Sequence, residues 1–394
     1  MLVYTSITKS YLPKARILAK SVKRFHPDWQ FVLLYSDDLP RGFDLNKEPF
    51  DEIITVEQLG FSNCKAWVFG HALVELCTAV KGPAAKVFAQ RPDVDKIMYL
   101  DPDIKVFNSL SPLESLLNQH EIILTPHLLE TEEGLPENEM AALKHGIYNL
   151  GFFAARTSGQ GLAFIHWWAE RLSHFCRDDI PSGLFTDQRW CDLAPAFFSN
   201  LGIVRDHGCN VATWNIAKRP LSLNEDGIIL AGNTPLRFYH FTGYDNGSGF
   251  TMLMKYASKQ VTAHKLWEQY GKELLAEGHG KDYYKGWFYG QFDNGEAIPP
   301  EARKLYRARQ DLQQAFPNPF SIDEPCYLSW WKAEINLNNK NVLEPVTVAK
   351  SNRFKKIITN FSSRRTGLNL LKSAMIILKN EGFFALMRRI RNYS

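Results

Sequence analysis

The first 35 residues decide the fold class. Leu2 to Ile7 is a short apolar, β-branched run. Leu12, Ala15, Leu18, Ala19 and Val22 then recur at helical spacing, and Gln30 to Tyr35 is a second apolar run that ends at Asp37-Asp38. Strand, helix and strand in that order make a βαβ unit. Its strands are parallel, and the loops at their carboxyl ends form the ligand-binding edge of an open α/β sheet. The same patterning predicts strands at Lys96 to Leu100, Glu121 to Thr125, Gly151 to Ala155, Gly202 to Arg205 and Leu236 to Phe241, with helices over 63–91 and Gly159 to Phe175. From about residue 260 the text turns to longer polar helical patterns, Val261 to Glu277 and Glu301 to Phe316. The expected organisation is an α/β sheet domain over 1–258, a C-terminal α-helical extension over 259–345 and a tail over 346–394.

That tail stands apart by charge. Residues 350–394 hold eleven Lys and Arg against Glu381 alone, a net +10, so the other 349 residues carry −6 of the overall +4. A mildly acidic body does not suit nucleic acid, which calls for basic residues spread with aromatics over a face. The tail mixes its cations with Leu368, Leu371, Met375, Ile376, Phe383, Phe384 and Met387, a composition that fits an amphipathic helix on an anionic membrane surface as well as a helix pair packed on the body. No run of about 18 apolar residues occurs, so no spanning helix is expected. The six scattered cysteines form no CxxC pair and Met1 leads straight into a strand. We therefore expect reduced thiols, no cleavable signal and a cytoplasmic protein, peripheral at the inner face of the membrane if the tail docks there.

The chemistry begins where an apolar run is broken by acids: Ile97-Met-Tyr-Leu-Asp-Pro-Asp-Ile-Lys-Val-Phe107. Without Asp101 and Asp103 this would be one long buried strand, and burying carboxylates is costly unless something compensates them. Pro102 between them has a fixed φ and no N–H, which stiffens the turn. Paired carboxylates are hard oxygen ligands of the kind Mg²⁺ or Mn²⁺ prefers. Tyr239-His240-Phe241-Thr242-Gly243 offers an imidazole as a further ligand, and Gly243 allows close approach of backbone to a phosphate, although a lone histidine here also reads as a core residue. Tyr148-Asn149-Leu150-Gly151-Phe152 opens a strand with an amide. Phe185-Thr186-Asp187-Gln188 sets an acid and an amide at a helix start, where an acid also serves the helix dipole.

In order, Asp-x-Asp, Asn-x-Gly-Phe, Asp-Gln and His-x-x-Gly resemble the GT-A fold glycosyltransferases, above all the retaining family eight of glycogenin and lipopolysaccharide galactosyltransferases. The resemblance covers about residues 1–250 and rests on the order of short motifs. It implies a nucleotide-diphosphate-sugar donor, with UDP the usual nucleotide, and a Mn²⁺ or Mg²⁺ ion held by Asp101, Asp103 and His240. Asn149, Asp187 and Gln188 match residues that line the donor sugar, Thr5, Ser6 and Tyr11 those that meet the nucleotide, and Lys81 a cation near the phosphates. The implied acceptor is a glycan or a lipid-linked glycan.

One departure is informative. The family continues His-x-x-Gly with Lys-Pro-Trp, whereas this chain reads Tyr244-Asp-Asn-Gly-Ser-Gly-Phe250. The phosphate lysine is absent from that position, which points to a related GT-A family and leaves Lys81, Arg237 or another cation to assist the metal. Asn210 and Asn215, in Gly208-Cys-Asn-Val-Ala-Thr-Trp-Asn215, are candidates either for sugar hydroxyls or for a turn. Motif order favours retention of configuration; inversion would need a carboxylate base, for which Asp187 is the first candidate. The competing readings are a sugar-nucleotide pyrophosphorylase and a non-catalytic carbohydrate-binding protein. Thr5-Ser-Ile-Thr-Lys-Ser-Tyr11 lacks the glycine-rich loop that a pyrophosphorylase needs after its first strand.

Overall fold

The computed structural model describes residues 1–39, 42–131, 133–134, 136–281 and 284–343. The strands that build the main sheet and the site, numbered along the chain, are β1 (Leu2–Ile7), β2 (Gln30–Tyr35), β3 (Glu52–Thr55), β4 (Lys96–Leu100), β5 (Ile104–Val106), β6 (Ile122–Pro126), β7 (Tyr148–Arg156), β8 (Leu201–Ile203) and β9 (Phe238–His240). Seven of them form one mixed, mostly parallel sheet in the order β8-β6-β7-β4-β1-β2-β3. Only β7 runs against its neighbours, antiparallel to both β4 and β6. The amino end of β7 therefore lies at the same sheet edge as the carboxyl ends of β1, β4 and β6. The pair β5 and β9 is a separate antiparallel ribbon placed beyond β4.

The apolar runs are continuous because the central strands are covered on both faces. Val3, Leu33, Met98 and Phe152 pack under the helix Leu12–Phe25, through Ala15, Leu18, Ala19 and Val22. Tyr4, Leu34, Tyr99 and Phe153 face the other way, against the helices Lys81–Ala89 and Gly159–Phe175. The last two helices cross closely at Gly82, where a Cβ would stand 2.8 Å from the Cα of Ala169. Glycine is needed there, and its close contact seats the adjoining Lys81 deep against the sheet.

Residues 63–91 read as one helical stretch, but the chain breaks it into Cys64–Phe69, Leu73–Ala79 and Lys81–Ala89. The helix Val261–Ala276 packs Leu266, Trp267 and Tyr270 against Tyr239 and Phe241. Further on, Tyr289, Phe292, Tyr306 and Tyr327 join the same core as Tyr4 and Tyr99. Buried Arg303 donates to the carbonyls of Phe69 and His71, at 3.0 and 3.1 Å, tying this later region to the chain before Lys81. Met1–Trp331 is one compact unit. A second unit, Lys332–Ser394, is described only as far as residue 343, within the helix Tyr327–Leu343. The tail over 346–394 and its expected membrane contact lie outside the described residues. Among those that are described, no helix is long and apolar enough to cross a membrane. All six cysteines are free thiols.

Candidate functional site

β4 ends at Leu100, and the chain turns through Asp101-Pro102-Asp103 into β5. The Asp101 N–H donates to the Gly151 carbonyl at 2.8 Å, and the Asp101 carbonyl accepts from the Ile104 N–H at 3.0 Å. Ile104 lies opposite His240 in the β5–β9 ribbon, and the Phe241 N–H donates to the Asp103 carbonyl at 2.8 Å. The short ribbon thus carries the imidazole to the two acids. His240 Nε2 is 3.0 Å from Asp103 Oδ1 and 3.7 Å from Asp101 Oδ2. One ligand atom from each of the three lies within 4.8 Å of the others. Two hard carboxylates and an imidazole this close make a donor set that fits one divalent cation. Burial pushes the Asp103 carboxyl up, but His240 and the Lys14 ammonium outweigh it and hold it at about 2. Burial likewise works against a charged His240, and the two aspartates overcome it, raising its pKa.

Gly151, two residues after Asn149, is required by this packing. A Cβ there would stand 2.6 Å from His240 Cε1 and 2.7 Å from Asn149 Oδ1. The imidazole lies flush on the backbone of β7, so the glycine of Asn-x-Gly-Phe belongs to the histidine as much as to the strand.

Lys81 lies between carboxylates. Its ammonium, only 3% exposed, is 3.0 Å from Asp101 Oδ1 and 2.8 Å from Asp187 Oδ2, and it donates to the Leu150 carbonyl at 3.1 Å. It also stands 4.3 Å over the ring of Tyr99, whose hydroxyl donates to Asp101 Oδ1 at 2.7 Å. Burial disfavours the charged lysine, yet the two aspartates keep it protonated far above neutral pH. Burial raises the pKa of Asp187, an effect that Lys81 opposes. The loop before Asp187 is strained: Thr186 has φ 44°, unusual for a β-branched residue, and its hydroxyl donates to Asp187 Oδ1 at 3.0 Å. Fully buried Trp168 donates its indole N–H to the Asp187 carbonyl at 3.1 Å.

These groups surround one cavity of about 540 Å³. Ser6, Tyr11, Lys81, Asp101, Asp103, Asn149, Asp187, Gln188 and His240 all line it, drawn from the ends of β1, β4, β7 and β9 and the starts of the helices at Lys81 and Gln188. Thr5 and Gly243 are not among the described lining residues. Thr5 is fully buried within β1, and Gly243, at φ 66°, packs toward Ser248 and Gly249. Arg237 is engaged elsewhere, 2.5 Å from Asp206 and donating to the Ser109 carbonyl at 3.0 Å. Asn215 accepts from the Ala212 N–H at 3.0 Å and donates to the carbonyl of Asn210, which is a turn role.

The helix Pro136–His145, whose Ala141, Ala142 and His145 close one side of the cavity, is not among the elements that the sequence predicts. It has no apolar stripe that would announce it. Gln188 holds its end, donating to the His145 carbonyl at 2.9 Å. His127, a further lining residue outside the sequence motifs, has its pKa lowered to about 4, first by burial and then by His240 and His145. A pKa depressed on folding makes the neutral imidazole the folded form, so its contribution to stability is present above pH 6.5 and is lost as pH falls toward 4. We expect the His127 ring to stay neutral to about pH 4 in an NMR titration. Titration near 6.5 would contradict this placement.

No family model matches this chain. Among curated proteins, the uncharacterized protein YfnF of Bacillus subtilis (strain 168) is 25% identical over 249 residues, covering 61% of this chain and 80% of its own length. YfnD of the same organism is 25% identical over 160 residues, covering 40% of this chain and 50% of its own. Among solved structures, the galactosyltransferase LgtC in complex with donor and acceptor sugar analogs has a TM-score of 0.44 at 16% identity, covering 72% of this chain and 99% of that one. The glycosyltransferase GlyE of Streptococcus pneumoniae TIGR4 has a TM-score of 0.41 at 14% identity, covering 70% of this chain and 62% of that one. In the order of its motifs, in its mixed, mostly parallel sheet flanked by helices, and in the gathering of those motifs round one cavity, the chain resembles the GT-A fold glycosyltransferases.

Proposed function

We propose that this chain is a metal-dependent glycosyltransferase that moves a sugar from a nucleotide-diphosphate-sugar, with UDP as the expected nucleotide, to a glycan or lipid-linked glycan. The observation that carries the proposal is the convergence of Asp101, Asp103 and His240 with Asn149, Asp187 and Gln188 on one cavity. Asp101, Asp103 and His240 would hold the cation. When bound, Mn²⁺ or Mg²⁺ supplies positive charge to the diphosphate as the sugar leaves it.

The chain's own residues do the remainder. Lys81 opposes the rise that burial imposes on the Asp187 carboxyl, and a carboxylate fixed beside the sugar stabilises a positive anomeric carbon. Both Asp187 oxygens are engaged, one by Lys81 and one by Thr186, which weakens its case as a base and favours retention over inversion. Asn149 and Gln188 orient sugar hydroxyls. Ser6 and Tyr11 flank the nucleotide at the end of β1. Leu73 and Val74 give the cavity an apolar margin suited to an acceptor with a lipid or aglycone portion, and Val74 is 62% exposed. A role in bacterial surface polysaccharide or glycoconjugate synthesis, in the cytoplasm with the basic tail at the membrane, completes the proposal.

A thermal-shift screen of nucleotide-sugars, each with and without Mn²⁺, tests it. One donor at about 100 times its dissociation constant should stabilise the fold by about 2.7 kcal/mol. That stabilisation should require the metal. Donors that act equally with and without metal, or none that acts, would count against the proposal.

A further inference from the structure

We infer that Asn210 is a positioning residue: its carboxamide sets which nitrogen of His240 faces Asp101 and Asp103 and, through the same group, holds the amide of Asn149. The inference rests on reading Asp101, Asp103 and His240 as the metal-binding set.

The argument starts from a donor that cannot be reversed. The Gly151 backbone N–H donates to Asn149 Oδ1 at 3.2 Å, so this end of the Asn149 amide is the oxygen. Asn210 meets that oxygen at 3.0 Å and must present its Nδ2; the same Nδ2 donates to Thr125 Oγ1, also at 3.0 Å. The Asn210 oxygen is thereby turned to His240, 3.3 Å from Nδ1. An oxygen there only accepts, so Nδ1 carries a hydrogen and Nε2 is the nitrogen left with a lone pair for a cation. The other end of Asn149 obeys the same logic. Its Nδ2 donates to His127 Nε2 at 3.3 Å, which makes Nε2 of His127 the acceptor and places the ring hydrogen on Nδ1, 3.3 Å from the Ile147 carbonyl.

Asn210 suits the task in backbone as well as side chain. It is fully buried and has φ 54°, a left-handed conformation that asparagine adopts more readily than most residues and glycine adopts freely. Asn210→Gly therefore keeps the backbone and removes the amide, and Asn210→Asp keeps an acceptor for Nδ1–H.

Mn²⁺ titration of the full chain, followed by the free-ion EPR signal, separates the possibilities. Asn210→Gly should weaken Mn²⁺ binding by about 10- to 100-fold, and Asn210→Asp should hold it within about threefold of wild type. In a ¹⁵N-histidine spectrum of the wild-type protein with Mg²⁺, the His240 Nδ1 should be protonated and Nε2 not. Equal Mn²⁺ affinity in wild type and Asn210→Gly, or a wild-type His240 protonated at Nε2, overturns the inference while leaving the metal site standing. A wild-type chain that binds no Mn²⁺ overturns the metal site and the inference with it.

Discussion

Replacing Asp103 by Asn should lower sugar transfer by about 10²- to 10³-fold, the loss typical of removing one fixed electrostatic contact to a developing charge. The substitution conserves size, and the backbone bond from the Phe241 N–H to the residue-103 carbonyl is untouched. The ribbon of β5 and β9 should therefore persist and the melting temperature should change little. What changes is charge: one of three candidate ligands is lost, and His240 loses the nearer of the two carboxylates that oppose its burial. Transfer and Mn²⁺ affinity should fall together. Full transfer by a folded Asp103→Asn chain would remove the metal site from the mechanism.

The second large effect is on stability. Lys81→Met should cost about 3–5 kcal/mol, because removing one partner from a buried ionic group leaves its opposite charges uncompensated. Asp101 and Asp187 would then face each other across an apolar side chain. The sign of the pH response follows. Burial raises the pKa of Asp187, and Lys81 is what opposes the rise. In the variant that rise goes unopposed, so the folded state binds protons over a pH range in which the unfolded chain has lost them, and the deficit relative to wild type should shrink as pH is lowered. Urea midpoints of the two chains between pH 5 and 8 measure this, and equal midpoints throughout would show that Lys81 does not hold the pair.

The strands that were easiest to read are those buried on both faces. β1, β2 and β4 are unbroken apolar runs and match their expected limits to the residue. β3 and β5 are hard to read in the sequence, for opposite reasons. Glu52–Thr55 lies at the sheet edge, where half-buried residues blur the pattern, and Ile104–Val106 is too short to be told from the tail of β4. β7 begins at Tyr148 rather than Gly151, so Asn149 belongs to the strand and its side chain is held by neighbours across the sheet. Asp101, Asp103 and the Asp187-Gln188 pair were legible because a buried acid or an acid at a helix start stands out in apolar text, and His240 only through the order of the motifs. The partners that orient them were not. Asn210 read as a sugar contact or a turn residue, His127 as one histidine among eleven, and Lys81 as a cation for phosphate, because contacts over 20 to 106 positions leave no local pattern.

The central claim is that the cavity transfers sugars with the help of a cation held by Asp101, Asp103 and His240. Release of nucleoside diphosphate from the donor singled out by the thermal-shift screen, measured with Mn²⁺, with EDTA and in the Asp103→Asn chain, tests it most directly. Release that requires Mn²⁺ and is lost with EDTA and in the variant is the result this account predicts. Release that is indifferent to EDTA and to Asp103 would contradict it.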